Sequence, residues 1–241
     1  MFTDPRGRRR LGVAVLAFAG LVLLTVDVVL AGTFRILDGT LSGFVIEQWR
    51  APWRRALPPL TYLGQRGVII LPLIGMTLLS IWRTRSIRPL VVVVGTLLGT
   101  ALVVGTMKLG FGRTAPGAAA DVFGTTQLSY PSGHAVNTIV IWTLVLRMLV
   151  GLYGGRLRLL RTGAARAVLV GLISAACGLS MVGLNYHWLS DVLAGWLLGV
   201  AIVVLTPSVL PARYTAPDQP AAADATRDRS RQESGRPVPS A

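Results

Sequence analysis

Histidine is almost absent from this chain, with two residues in 241, His134 and His187. Lysine is rarer still: Lys108 stands alone among 24 basic residues, and Cys177 is the single cysteine. Charged residues of every kind make up 14% of the sequence, and only ten are acidic. Each scarcity excludes something. One cysteine forms no internal disulfide, so no disulfide framework holds this fold. So little charge cannot solvate the surface of a soluble domain of this size. The arginines are scattered between apolar segments and form no continuous basic patch. The formal charge of +14 is therefore no argument for nucleic-acid binding.

Apolar residues fill the space instead, at 52% of the chain with a mean hydropathy of +0.60. They gather in runs at 11–31, 68–82, 89–107, 135–153, 167–185 and 189–210, the second extending upstream to about Thr61. A helix needs roughly 20 such residues to cross the hydrocarbon core. The pattern predicts an all-α integral membrane bundle of six spanning helices. Residues 1–10 read as a basic N-terminal segment, 11–210 as one membrane domain, and 211–241 as a Pro-, Ala- and Ser-rich tail expected to be disordered. The first run is too long for a signal-peptide core and reads as a retained helix. With the N-terminus inside, the cytoplasmic segments hold 16 arginines and the outer connections seven basic residues. That bias puts both termini in the cytoplasm of a multi-pass cell-membrane protein. The outer connection 32–60 carries Trp49, Trp53, Arg54 and Arg55, the composition of an interface-lying helix or an anchored loop.

This topology brings the rare residues together. The third run ends outside at Lys108, the fourth starts outside at Pro131-Ser132-Gly133-His134, and the fifth returns outward to His187-Trp188-Leu189-Ser190-Asp191. The charge bias and the rare residues thus converge independently on one extracytoplasmic level. Ser132 is placed to cap a helix, and Gly133 lets a ligand approach the backbone. The first turn offers unpaired N–H groups and the positive end of the helix dipole, which suit an anion. His187 and Asp191, four apart, share a helix face, so the carboxylate can fix the imidazole tautomer and leave the far nitrogen free as nucleophile or base. No ligand-spaced histidine pair is present, and Lys108 and Arg113 would repel a cation, so neither a metal nor another cofactor is expected.

Lys108…Pro116, Pro131-Ser132-Gly133-His134 and Ser180…His187…Asp191 resemble, in order, the three motifs of the type 2 phosphatidic acid phosphatase superfamily. The resemblance implies a six-helix membrane phosphatase of the lipid phosphate branch. By the same likeness His187 is the nucleophile, Asp191 orients it, and His134 protonates the leaving alkoxide and then activates water. Lys108, Ser132 and Gly133 would hold the phosphate. Two motif arginines are missing, since Ala115 and Met181 stand in their places. Arg113, two positions before Ala115, is the nearest candidate to replace them in the phosphate grip. Arg66, at the outer start of the second helix, is a weaker candidate and reads first as a lipid-headgroup anchor. Asn185 and Tyr186, beside His187, are candidate hydrogen-bond donors or helix-end residues.

The expected substrate is a lipid phosphate or pyrophosphate, with membrane lipids as surroundings. A lipid phosphotransferase with the same His/His/Asp triad and an alcohol acceptor is the alternative. A phosphate-lipid-binding protein with a degraded site sits poorly with the retained rare residues. A vanadate-dependent haloperoxidase sits poorly with six apolar spans.

Overall fold

A computed structural model of the chain describes residues 5–48, 50–116 and 128–211. Trp49 and the tail expected to be disordered lie outside the described residues, apart from residue 211. The described residues form eight α-helices: α1 (Pro5–Val29), α2 (Thr33–Glu47), α3 (Pro58–Thr61), α4 (Arg66–Thr84), α5 (Arg88–Phe111), α6 (Gly133–Tyr153), α7 (Gly163–Gly183) and α8 (Leu189–Leu205). Short 3-10 turns cover Pro52–Ala56 and Arg158–Leu160, and Thr114 and Leu128 make an isolated antiparallel bridge.

Local chemistry sets the helix ends. Thr162 caps α7 by accepting from the Ala165 N–H at 3.1 Å. Asp27 sits near the end of an apolar helix because its Oδ2 accepts from the Phe34 N–H at 2.8 Å, closing the α1–α2 turn. Positive φ at Arg85 and Gly112 ends α4 and α5. The last apolar run, expected to 210, stops at Leu205. Thr206 takes extended backbone angles (φ −61°, ψ 127°), as a residue before proline prefers. Five helices (α1, α4, α5, α6 and α7) are therefore long and apolar enough to cross a membrane, while α8 has 17 residues.

The centre of the bundle is α6. Within its most apolar window 61% of residues are buried, against 17% for α5. Its Val136, Val140, Ile141, Leu144 and Met148 are fully enclosed. Gly195 and Gly199, four apart on α8, let the two backbones approach. A Cβ on Gly195 would stand 2.7 Å from both the Ala135 Cβ and the Ser132 carbonyl oxygen. α1 covers the other side of α8, and α4 and α7 flank α6. Exposed Leu, Val, Phe and Ile side chains on α1, α4, α5 and α7 form an apolar exterior suited to lipid. This is a multi-pass membrane protein.

The segment expected to lie at the interface packs onto one end of this bundle. Arg54 Nη1 donates to the Val45 carbonyl at 3.0 Å, and a Cβ on Gly183 would meet Leu57 at 2.7 Å. At the opposite end arginines close the C-terminus of α8. Arg147 Nη2 donates to the Val203 carbonyl at 2.8 Å, Arg10 Nη2 to Thr206 at 3.3 Å and Arg88 Nε to Ser208 at 2.9 Å.

Candidate active site

The two histidines meet across the N-terminus of α6 and the α7–α8 turn. Their ring centroids are 6.5 Å apart, with the planes inclined at 61°. Ser132 is the N-cap of α6, its Oγ accepting from the Ala135 N–H at 3.4 Å. Its own N–H donates to the Asp191 carbonyl at 2.9 Å, so the starts of α6 and α8 are tied by one backbone bond. The α3–α4 turn lies directly behind His134. A Cβ on Gly64 would come within 2.7 Å of the His134 carbonyl oxygen and the Cys177 sulfur, so only glycine fits there. Trp142 and Asn137 of α6 hold that turn by donating to the carbonyls of Leu63 at 3.0 Å and Gly64 at 3.5 Å.

His187 is held by its neighbours. Its Nδ1 lies 3.3 Å from Asp191 Oδ2, the i,i+4 pairing expected from the sequence, and the Trp188 N–H donates to the same oxygen at 3.1 Å. Asn185 adopts φ +59° and accepts from Ser42 Oγ at 2.9 Å. It therefore makes the sharp turn before His187, a backbone shape asparagine tolerates. Tyr186 is 45% exposed.

Arg113 turns inward, toward carboxylates. Its Nη1 donates to Asp191 Oδ1 at 2.9 Å and to Ser190 Oγ at 2.6 Å, while its Nη2 donates to Asp38 Oδ2 at 2.7 Å. Asp38, on α2, also accepts from the Ser190 N–H at 2.9 Å and from the Ser190 hydroxyl. The side chains of Asp38 and Asp191 are 1% and 0% exposed and that of Arg113 10%. Asp38 escaped the sequence reading. Its signal was rarity: the described residues contain only Asp27, Asp38, Glu47 and Asp191 as acids.

Lys108, in the last turn of α5, donates from Nζ to the Leu128 carbonyl and lies within electrostatic reach of both Asp191 and His134. Met181, standing where a motif arginine would, is buried against Ala135 and Val192. It offers a phosphate no donor. Arg66 points its Nη2 at Asn137 Oδ1, 3.5 Å away and one turn beyond His134. Tyr130 shares a 2.6 Å hydrogen bond with Thr25, and burial pushes its phenol up from the usual value. A cavity of about 290 Å³ opens beside Arg113, lined among others by Thr25, Arg35, Phe111 and Tyr130; neither histidine borders it.

These features define a multi-pass helical membrane protein with a His–His–Asp centre at one end of its bundle. The chain belongs to the PAP2 superfamily, whose sequence pattern matches residues 89–214, just over half of its length. No curated protein matches it. Its fold is similar to the crystal structure described as the first transmembrane PAP2 type phosphatidylglycerolphosphate phosphatase from Bacillus subtilis. The TM-score is 0.67 at 21% identity, covering 80% of this chain and 93% of that one. At that identity the likeness is one of fold.

Proposed function

We propose that the protein is a metal-independent phosphatase of lipid phosphates or pyrophosphates, working at the extracytoplasmic membrane face through a phosphohistidine. The observation that carries this reading is the arrangement of the two imidazoles. His187 has its Nδ1 turned to Asp191, and its other nitrogen is left for chemistry, with His134 on the facing ring 6.5 Å away.

In the first step the Nε2 lone pair of His187 bonds to phosphorus as the P–O bond to the lipid breaks. His134 gives its proton to the departing oxygen. In the second step water attacks phosphorus, the P–N bond breaks, and His134 takes the proton from that water. Inorganic phosphate leaves and both rings return to their starting states. Lys108, capping Ser132 and the backbone N–H groups of Gly133 and His134 hold the non-bridging oxygens at the positive end of the α6 dipole.

The lipid part of the substrate finds support in a groove of about 470 Å³. Leu23, Leu24, Phe34, Leu193, Trp196 and Leu197 line it, with Asp27 its one charged side chain. Neither histidine lines it, and Leu193 stands on a different face of α8 from Asp191, so the groove accounts for the lipid chain and not for the headgroup. The extracytoplasmic placement rests on the arginine bias between the two ends of the helices. With α8 as a short sixth crossing, both termini are cytoplasmic.

Purified protein in detergent should release phosphate from one or more members of a lipid phosphate panel in the presence of EDTA, and His187→Ala should stop it. No release from any member, or unchanged release by the variant, overturns the proposal. The alternative, transfer to an alcohol acceptor, draws on the absence of arginine at Ala115 and Met181. It predicts labelled phosphate in a new lipid with little free phosphate.

A further inference from the structure

Resting on the phosphohistidine reading, we infer that Asp38 and Arg113 are positioning residues for Asp191, and that the task of Arg113 is to aim the triad carboxylate. Arg113 makes bonds on two sides. One nitrogen serves Asp191 and Ser190, and the other serves Asp38. Its guanidinium also lies over the Trp188 ring, 5.1 Å from the centroid. A fork held in this way cannot swing to a phosphate without abandoning two buried carboxylates.

The consequence for Asp191 is geometric. Oδ1 is fixed by Arg113, and Oδ2 receives His187 Nδ1 and the Trp188 N–H, so the carboxylate cannot rotate. Asp38 adds a second restraint by accepting the Ser190 N–H, which holds the first turn of α8 where Asp191 stands.

The second consequence is electrostatic. Arg113 alone beside Asp191 would cancel the charge that an imidazolium at His187 needs. Asp38 supplies a second carboxylate, so the three groups together keep one negative charge behind the ring. That charge favours the cationic phosphohistidine over the neutral starting imidazole. Asp38 lies outside the 89–214 stretch matched by the family. It reaches the site from a helix 152 positions before Ser190.

The test uses the whole protein in detergent. With only two histidines, ¹⁵N-histidine NMR resolves both rings. Wild type should show one ring held as the Nδ1–H tautomer, identified as His187 by its loss in His187→Ala. Asp38→Asn and Arg113→Gln should each release it into exchanging tautomers. Each should also lower kcat by about 10–100-fold, by analogy with the loss of a group that orients a metal-bound imidazole, with KM and inhibition by inorganic phosphate near wild type. The double variant restores the single negative charge, so its loss should fall short of the product of the single losses.

Wild-type tautomer and kcat in Asp38→Asn would overturn the inference, as would weakened phosphate inhibition with unchanged kcat in Arg113→Gln. If wild type released no phosphate from any lipid, the phosphatase reading would fall while the NMR arm still decided the positioning role. Should Asp38→Asn fail to fold, Ser190→Ala removes bonds to the same network without a charge change. It should shift the tautomer in the same direction, and a spectrum identical to wild type overturns the inference.

Discussion

The two histidines are held in opposite ways. His187 is fixed by polar bonds: Asp191 grips its Nδ1, and Arg113 and Asp38 stand behind that carboxylate. For His134 no hydrogen bond to the ring occurs among the described residues. Its place is set by the capped start of α6 and by the glycine turn packed behind it. The difference matches the tasks proposed for them. A nucleophile needs one tautomer and one direction, which a buried carboxylate supplies. A proton carrier must serve two different oxygens in turn, and a ring held by packing stays free to do so.

The largest effect that would break this contrast comes from replacing each ring. His187→Ala should abolish turnover and phosphoenzyme alike on every substrate. His134→Ala should cost about 10²–10⁴-fold with an alkyl phosphate. It should cost much less in the first step with p-nitrophenyl phosphate, whose leaving group needs no proton. Phosphohistidine should then accumulate, as acid-quench labelling would reveal; equal losses on both substrates would remove His134 as the acid.

A smaller effect should follow Gly64→Ala. The new Cβ would press on the His134 carbonyl at 2.7 Å and force the turn away from α6. A loss of about 1–3 kcal/mol, read as a lower thermal midpoint, is expected for such overpacking. The NMR signature of His187 should stay as in wild type. Smallest of all, Ser132→Ala removes the α6 cap at a cost of about 1 kcal/mol. The loss of stability should be measurable by melting in detergent, and the missing hydroxyl should also weaken the phosphate grip, read as a higher KM.

Much of this molecule was legible because lipid simplifies the code. A run of Leu and Val that must satisfy its own backbone can only be a helix, so α4, α5, α6 and α7 were readable within a few residues. By contrast α1 starts at Pro5, six residues before the expected run, because arginines can continue a helix past its apolar part. The end of α8 was misread because composition continued to 210 while Thr206-Pro207 broke the backbone. The pairing of His187 with Asp191 was readable because a helix fixes the geometry of residues four apart. Asp38 was not, since its partners lie across the bundle and no local pattern marks which acid will be brought there. Arg113 could be selected by proximity to the motif, but its direction depends on Asp38. Met181 shows the converse case. The sequence marked it as the place of a missing motif arginine, and the fold points it into a small apolar cluster with Ala135 and Val192.

The arginine bonds at the far end of α8 have a mechanical consequence. With Asp38 and Arg113 holding one end and Arg10, Arg88 and Arg147 the other, the 17-residue α8 behaves as a strut pinned at both ends. Arg88 begins α5 and Arg113 follows its last turn, so the same bonds tie the largely exposed α5 to the strut at both ends. The backbone bond from Ser132 to Asp191 fastens the start of α6 to that strut, so the two histidines move as one unit with it.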